Sequence, residues 1–88
     1  MADLPIDTIA QRLRWARVCS GLTGAQLAER ASVSEATVSR IESGAVLIPG
    51  PDTLASLADA LGIPFAWLYR QEGSEPSPVD IRAHVGAP

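Results

Sequence analysis

The side chains whose types and spacing suit a chemical task lie between Ser34 and Ser43, namely Glu35, Ala36, Thr37, Ser39 and Arg40. At 3.6 residues per turn, the first two of these and the pair one turn on share a helix face, with Thr37 beside them. The set offers a carboxylate acceptor, two hydroxyls, a methyl group and a guanidinium whose planar fork can donate two parallel hydrogen bonds. That is recognition chemistry, not bond-making. His84 and Cys19 are the sole residues of their types and no glycine-rich phosphate loop is visible. No acid–base, nucleophilic or metal constellation can be assembled from these residues, so the chain is expected not to be an enzyme and to carry no metal or cofactor. One cysteine also excludes an intrachain disulfide. Cys19 reads as a helix packing residue and His84 as a solvated tail residue.

Positioning such a face requires a short, firmly anchored helix. The segment Thr23 to Gly44, TGAQLAERASVSEATVSRIESG, reads as two short helices joined by a tight turn. Leu27, Ala28 and Ala31 give the first helix one buried stripe, and Val38 with Ile41 does the same for the second. Thr23 with Gln26 has the form of a capping box, and Ser34 suits the N-cap of the second helix. Ala28 is small where the helices must cross closely, and Val33 can plug the angle between them. Two short helices at a steep angle across three or four residues make a helix-turn-helix unit.

Around this unit the sequence predicts three more helices. One starts at Asp7 or Thr8 and runs to about Ser20, with Ile9, Leu13 and Ala16 inward and Arg12, Arg14 and Arg17 pointing elsewhere; Gly21 stops it, with Leu22 as the apolar contact behind. Another starts at Pro51 and carries Leu54, Leu57, Ala58 and Leu61 at i, i+3, i+4 and i+7. A short one opens at Pro64, with Phe65 and Leu68 as a core plug. Residues 1–6 read as a flexible lead-in, 7–70 as one domain and 71–88 as a flexible acidic tail rich in Pro, Gly and Ser. Within that tail, Val79, Ile81 and Val85 could dock on a partner or fold back.

From about Ile9 to Gly73 the chain resembles the lambda-repressor-like (Cro/C1-type, XRE) DNA-binding domains. The likeness rests on IAQRLRWARVCSGLT, AQLAERASVSEATVSRIESG and PDTLASLADALGIPFAWL in that order. It implies an all-α, compact five-helix bundle with the helix-turn-helix at helices 2 and 3. It further implies a sequence-specific transcriptional regulator, a repressor, acting as a homodimer on a pseudo-palindromic operator in double-stranded DNA. Helix 3 would enter the major groove and read bases with Glu35, Ala36, Thr37, Ser39 and Arg40. Arg40 is the best specificity residue because its fork matches O6 and N7 of guanine. Phosphate contacts would fall to Thr23, Gly24, Gln26, Ser34 and Ser43, and the dimer contact to Trp67 or Tyr69.

Three positions depart from the family pattern. Relatives often open the first motif helix with Gln, where this chain has Gly24. Ser32 stands where Gly is preferred for its positive φ. The connector from Ala45 to Gly50 carries Val46, Leu47 and Ile48 where relatives commonly place Lys or Arg. That loop could fold onto the core or lie in a subunit contact.

Charge bears on the partner. Seven Arg and no Lys face ten acids, a formal net charge of −3, whereas nucleic-acid binders usually carry a basic surplus. Residues 7–50 are near neutral, with Arg12, Arg14, Arg17, Arg30 and Arg40 against Asp7, Glu29, Glu35 and Glu42. After residue 50 five acids face only Arg70 and Arg82. A second reading therefore keeps the fold and drops the DNA: a protein-interaction or antirepressor-like module using Trp15, Val18, Val46, Leu47 and Ile48. No apolar run approaches the roughly 20 residues that span a bilayer, and acidic residues stand where a signal peptide carries basic ones. A cytoplasmic location is expected, nucleoid-associated when DNA-bound.

Overall fold

The computed structural model describes residues 4–86. They form six helices, α1 (Ile9–Ser20), α2 (Gly24–Ala31), α3 (Glu35–Glu42), α4 (Pro51–Leu61), α5 (Phe65–Arg70) and α6 (Pro78–Gly86). The local signals act where they stand in the sequence. Thr8 and Thr23 each form a reciprocal capping box, with Gln11 and Gln26, satisfying N–H groups that have no partner inside the helix. Ser34 accepts from the Thr37 amide at 3.1 Å and caps α3. Ser32 ends α2 in the left-handed region at φ 58°, a conformation that costs an L-residue roughly 1–2 kcal/mol.

The core is a mesh of Leu13, Ala16, Leu27, Val38, Ile41, Leu54, Leu57, Leu61 and Leu68, each almost without solvent contact. Ala28 and Ala31 lie in the same core. Trp67 plugs the bundle at 1% exposure and packs on Trp15, ring centroids 5.5 Å apart and planes at 57°.

Four expectations need correction. The bundle has six helices, because the segment read as a flexible tail folds back as α6. Ile81 and Val85, one turn apart, bury themselves against the core at 1% and 2% exposure. Ala87 and Pro88 of that tail, like Met1 to Asp3 of the lead-in, lie outside the described residues. Leu4 and Ile6 are partly buried on the core, so this part of the lead-in is packed. Phe65 is no core plug: it stays 37% exposed while Leu68 takes that place.

The fourth concerns the arginines of α1. Arg12 is 4% exposed and donates to three backbone carbonyls, Ile6 (3.0 Å), Leu68 (2.9 Å) and Tyr69 (3.3 Å). A buried charge needs a full set of partners; the carbonyl end of α5 supplies two of them with favourable dipole sign, and Ile6 the third. Burial lowers the Arg12 pKa and Asp7 opposes that shift. The lead-in, α1 and α5 are tied together through this one side chain.

Two features seat α6. The His84 ring lies over Gly62, the left-handed residue that ends α4 at φ 68°, with Nε2 3.1 Å from the Asp59 carbonyl oxygen. A Cβ at position 62 would collide with that ring. Arg82 lies over Gly21 at the end of α1. His84 thus meets the carbonyl end of α4 and Arg82 the carbonyl end of α1.

Candidate nucleic-acid interface

The second motif helix is held from beneath by an ion pair. Arg17, on α1, meets Glu42, the last residue of α3, through Nε–Oε2 at 2.7 Å and Nη2–Oε1 at 3.0 Å, while Nη1 donates to the Leu22 carbonyl at 3.0 Å. Both side chains are mostly buried, at 19% and 13% exposure. The hydrogen bond to Glu42 raises the Arg17 pKa above its ordinary value. Glu42 therefore fixes where α3 ends, and with it the direction in which the helix points. The helical pattern of the sequence points Arg17 away from the core and gives Glu42 no structural role. Inward-facing charges on opposite elements leave no local signal in the sequence.

Above that clamp the outer face of α3 is open. Glu35, Ala36, Ser39 and Arg40 are exposed and Thr37 is half-buried. Among the described residues the sole ion pair is Arg17–Glu42, so the Arg40 guanidinium has no carboxylate within ion-pair distance. The Thr37 hydroxyl lies 2.8 Å from Ser34 Oγ, so both hydroxyls serve the cap before they serve any partner.

The residues assigned to phosphate differ in availability. Thr23 and Gln26 are exposed, but the Thr23 hydroxyl accepts from the Gln26 amide and Gln26 Oε1 accepts from the Thr23 amide. The Gln26 side-chain NH2 stays available. Gly24 is half-buried and offers its backbone N–H only. Ser43 turns back on its own helix, donating to the Arg40 carbonyl at 3.1 Å, which spends its one proton on α3.

The groups assigned to protein contacts divide. Trp67 is in the core and cannot reach a second copy, which removes it as a dimer contact. Trp15 is likewise buried at 5%, so it forms no surface patch with Val18, which is 41% exposed. Tyr69 remains partly accessible. Its ring stacks on Phe65, centroids 5.6 Å apart at 23°, and the Arg70 guanidinium lies 5.3 Å from its centre. In the α3–α4 connector Leu47 is 83% and Ile48 71% exposed, with Val46 at 36%. Only Pro49 turns inward.

Residues 8–70 match the family profile of the helix-turn-helix domain. The chain belongs to the helix-turn-helix family. Among curated relatives, this helix-turn-helix domain is 40% identical over 68 residues to the HTH-type transcriptional repressor RghR of Bacillus subtilis, covering 77% of the chain and 50% of the relative. It is 32% identical over 86 residues to the HTH-type transcriptional regulator PrtR of Pseudomonas aeruginosa, covering 98% and 33%. The chain spans half or less of the length of these two proteins.

Among solved structures the helix-turn-helix domain superposes on the P22 c2 repressor in complex with a synthetic operator. The TM-score is 0.69 at 23% identity, over 75% of this chain and 98% of that one. The solution structure of the DNA-binding domain of the same repressor gives 0.68 at 21% identity, over 85% and 97%. The shared architecture is the lambda-repressor-like fold. The family profile ends at residue 70, so α6 lies outside it.

Proposed function

We propose that this domain binds double-stranded DNA sequence-specifically, inserts α3 into the major groove with its amino-terminal end forward, and acts as a transcriptional repressor. The observation that carries the reading is the state of Arg40. It is exposed, without an ion pair, and mounted on a helix whose far end is locked by Arg17–Glu42. A guanidinium held in this way can make the paired contact to guanine O6 and N7. Ala36 offers its methyl to a thymine methyl, Glu35 can accept from a cytosine amino group, and Ser39 and Thr37 can bond bases or backbone.

Size argues for a dimer. The longest extent of the domain is 29 Å, short of the roughly 34–36 Å of one duplex turn. One copy covers one half-site, and a twofold pair reads an inverted repeat with centres about one turn apart. The partly accessible Phe65–Tyr69 stack offers the contact between copies. Selection from a random duplex pool tests the reading, and an enriched palindrome is the expected result. In Arg40→Ala, discrimination at one base pair falls by about 1–3 kcal/mol; equal preference in parent and variant removes Arg40 from base reading.

One observation favours a second reading, a protein-binding module on the same fold. Leu47 and Ile48 present bare aliphatic surface where a cationic loop would serve DNA better. The salt response separates the two, because duplex binding weakens steeply with salt and the alternative has no duplex binding to weaken.

A further inference from the structure

We infer that Arg82, contributed by α6 from outside the helix-turn-helix region, is a DNA-backbone contact that serves this chain in place of the cations missing at Gly24 and in the Ala45–Gly50 connector. The inference rests on the DNA-binding reading above. Two places where a phosphate could be met by the motif itself are uncharged: Gly24 has no side chain, and the Ala45–Gly50 connector carries no Lys or Arg. Arg82 sits at the end of α1, just ahead of the motif. Its guanidinium carbon is 3.6 Å, and both terminal nitrogens 3.8 Å, from where a Cβ on Gly21 would stand.

Gly21 precedes Thr23 by two residues, a span of at most about 7 Å along the chain. The charge thus lies no more than about 12 Å from the turn that opens α2, on the order of the Debye length of about 8 Å at physiological salt. Arg82 is exposed and has no carboxylate within ion-pair distance among the described residues. Its place is set by neighbours. Ile81 and Val85 anchor α6 in the core on either side of it, and His84 locks the helix to the end of α4. The guanidinium is therefore presented from a docked helix, not from a loose tail, which lowers the ordering cost of a contact.

The experiment is a salt titration of binding to a random-sequence duplex by fluorescence anisotropy, with parent, Arg82→Ala, Arg82→Lys and Ile81→Ser, folding being checked by circular dichroism. One phosphate contact contributes about 0.9 to the slope of log K against log salt, equivalent to about fivefold in affinity near 0.15 M. Arg82→Ala is expected to lose that slope and that affinity equally on random and selected sequences, and Arg82→Lys to regain most of both. In the Ile81→Ser background, where α6 is released, the Arg82→Ala effect is expected to vanish. A parent that binds duplex while Arg82→Ala matches it in slope and affinity overturns the assignment and leaves the DNA reading standing. A loss confined to the selected sequence overturns it too, since that marks a base contact. A parent that binds no duplex overturns both readings.

Discussion

Replacing Glu42 by Gln removes one charge from the pair that fixes α3 while keeping the shape of the side chain. Breaking a fully buried pair by deleting one partner costs about 3–5 kcal/mol. Here both side chains keep some contact with water and Arg17 retains its bond to the Leu22 carbonyl. The amide can also still accept one bond from the guanidinium. We therefore expect a loss of about 2–3 kcal/mol. In a domain of this size each kcal/mol moves Tm by roughly 4–8 °C, so Glu42→Gln should melt about 10–20 °C below the parent. Urea unfolding followed by circular dichroism measures the loss directly, and Arg17→Met with the double variant completes a cycle. A coupling of at least about 1.5 kcal/mol is expected, against about 0.2–1 kcal/mol for exposed pairs. A value below about 0.5 kcal/mol would refute the idea that this contact orients α3, because such a coupling belongs to an exposed pair.

Two further outcomes follow from the backbone and from the thiol. Ser32 holds φ 58°, so Ser32→Gly should stabilise the domain by about 0.5–1 kcal/mol in urea unfolding, the relief of left-handed strain outweighing the entropy of glycine; an unchanged midpoint would show that the turn carries no strain. Burial, followed by the field of Glu75, raises the Cys19 pKa above 9.0. The folded state then keeps its proton to higher pH than the unfolded state does. Stability from this group is whole below the unfolded value and falls as pH rises through 9 and beyond. Cys19→Ala should flatten that alkaline limb relative to the parent, and parallel limbs would assign the loss to other groups.

The parts of the molecule that could be read from the sequence are those whose causes are local. Caps at Thr23 and Ser34, the stripe through Leu54, Leu57, Ala58 and Leu61, and the left-handed stop at Gly21 each act within a turn or two of where they stand. The motif and the outward face of α3 follow from them. What could not be read depends on partners far along the chain. Arg12 and Arg17 look like solvated positions until the carbonyls of α5 and the carboxylate of Glu42 are brought to them. Trp67 looks like an interface residue until Trp15 meets it. Helix α6 has only Ile81 and Val85 as inward anchors, while Val79 faces water at 74% exposure, so its periodicity is too weak to separate a helix from a linker. Its seats are glycine-made hollows on other helices.

Position 62 is under two demands that have nothing to do with each other. Its backbone must turn in a sense that other residues resist, and its bare side leaves the vacancy that an imidazole from twenty-two positions downstream fills. Any replacement there strikes the stop of one helix and the berth of another in a single blow. The last helix is thereby bound to the fate of the bundle, and a chain trimmed before it would expose a socket with nothing to occupy it.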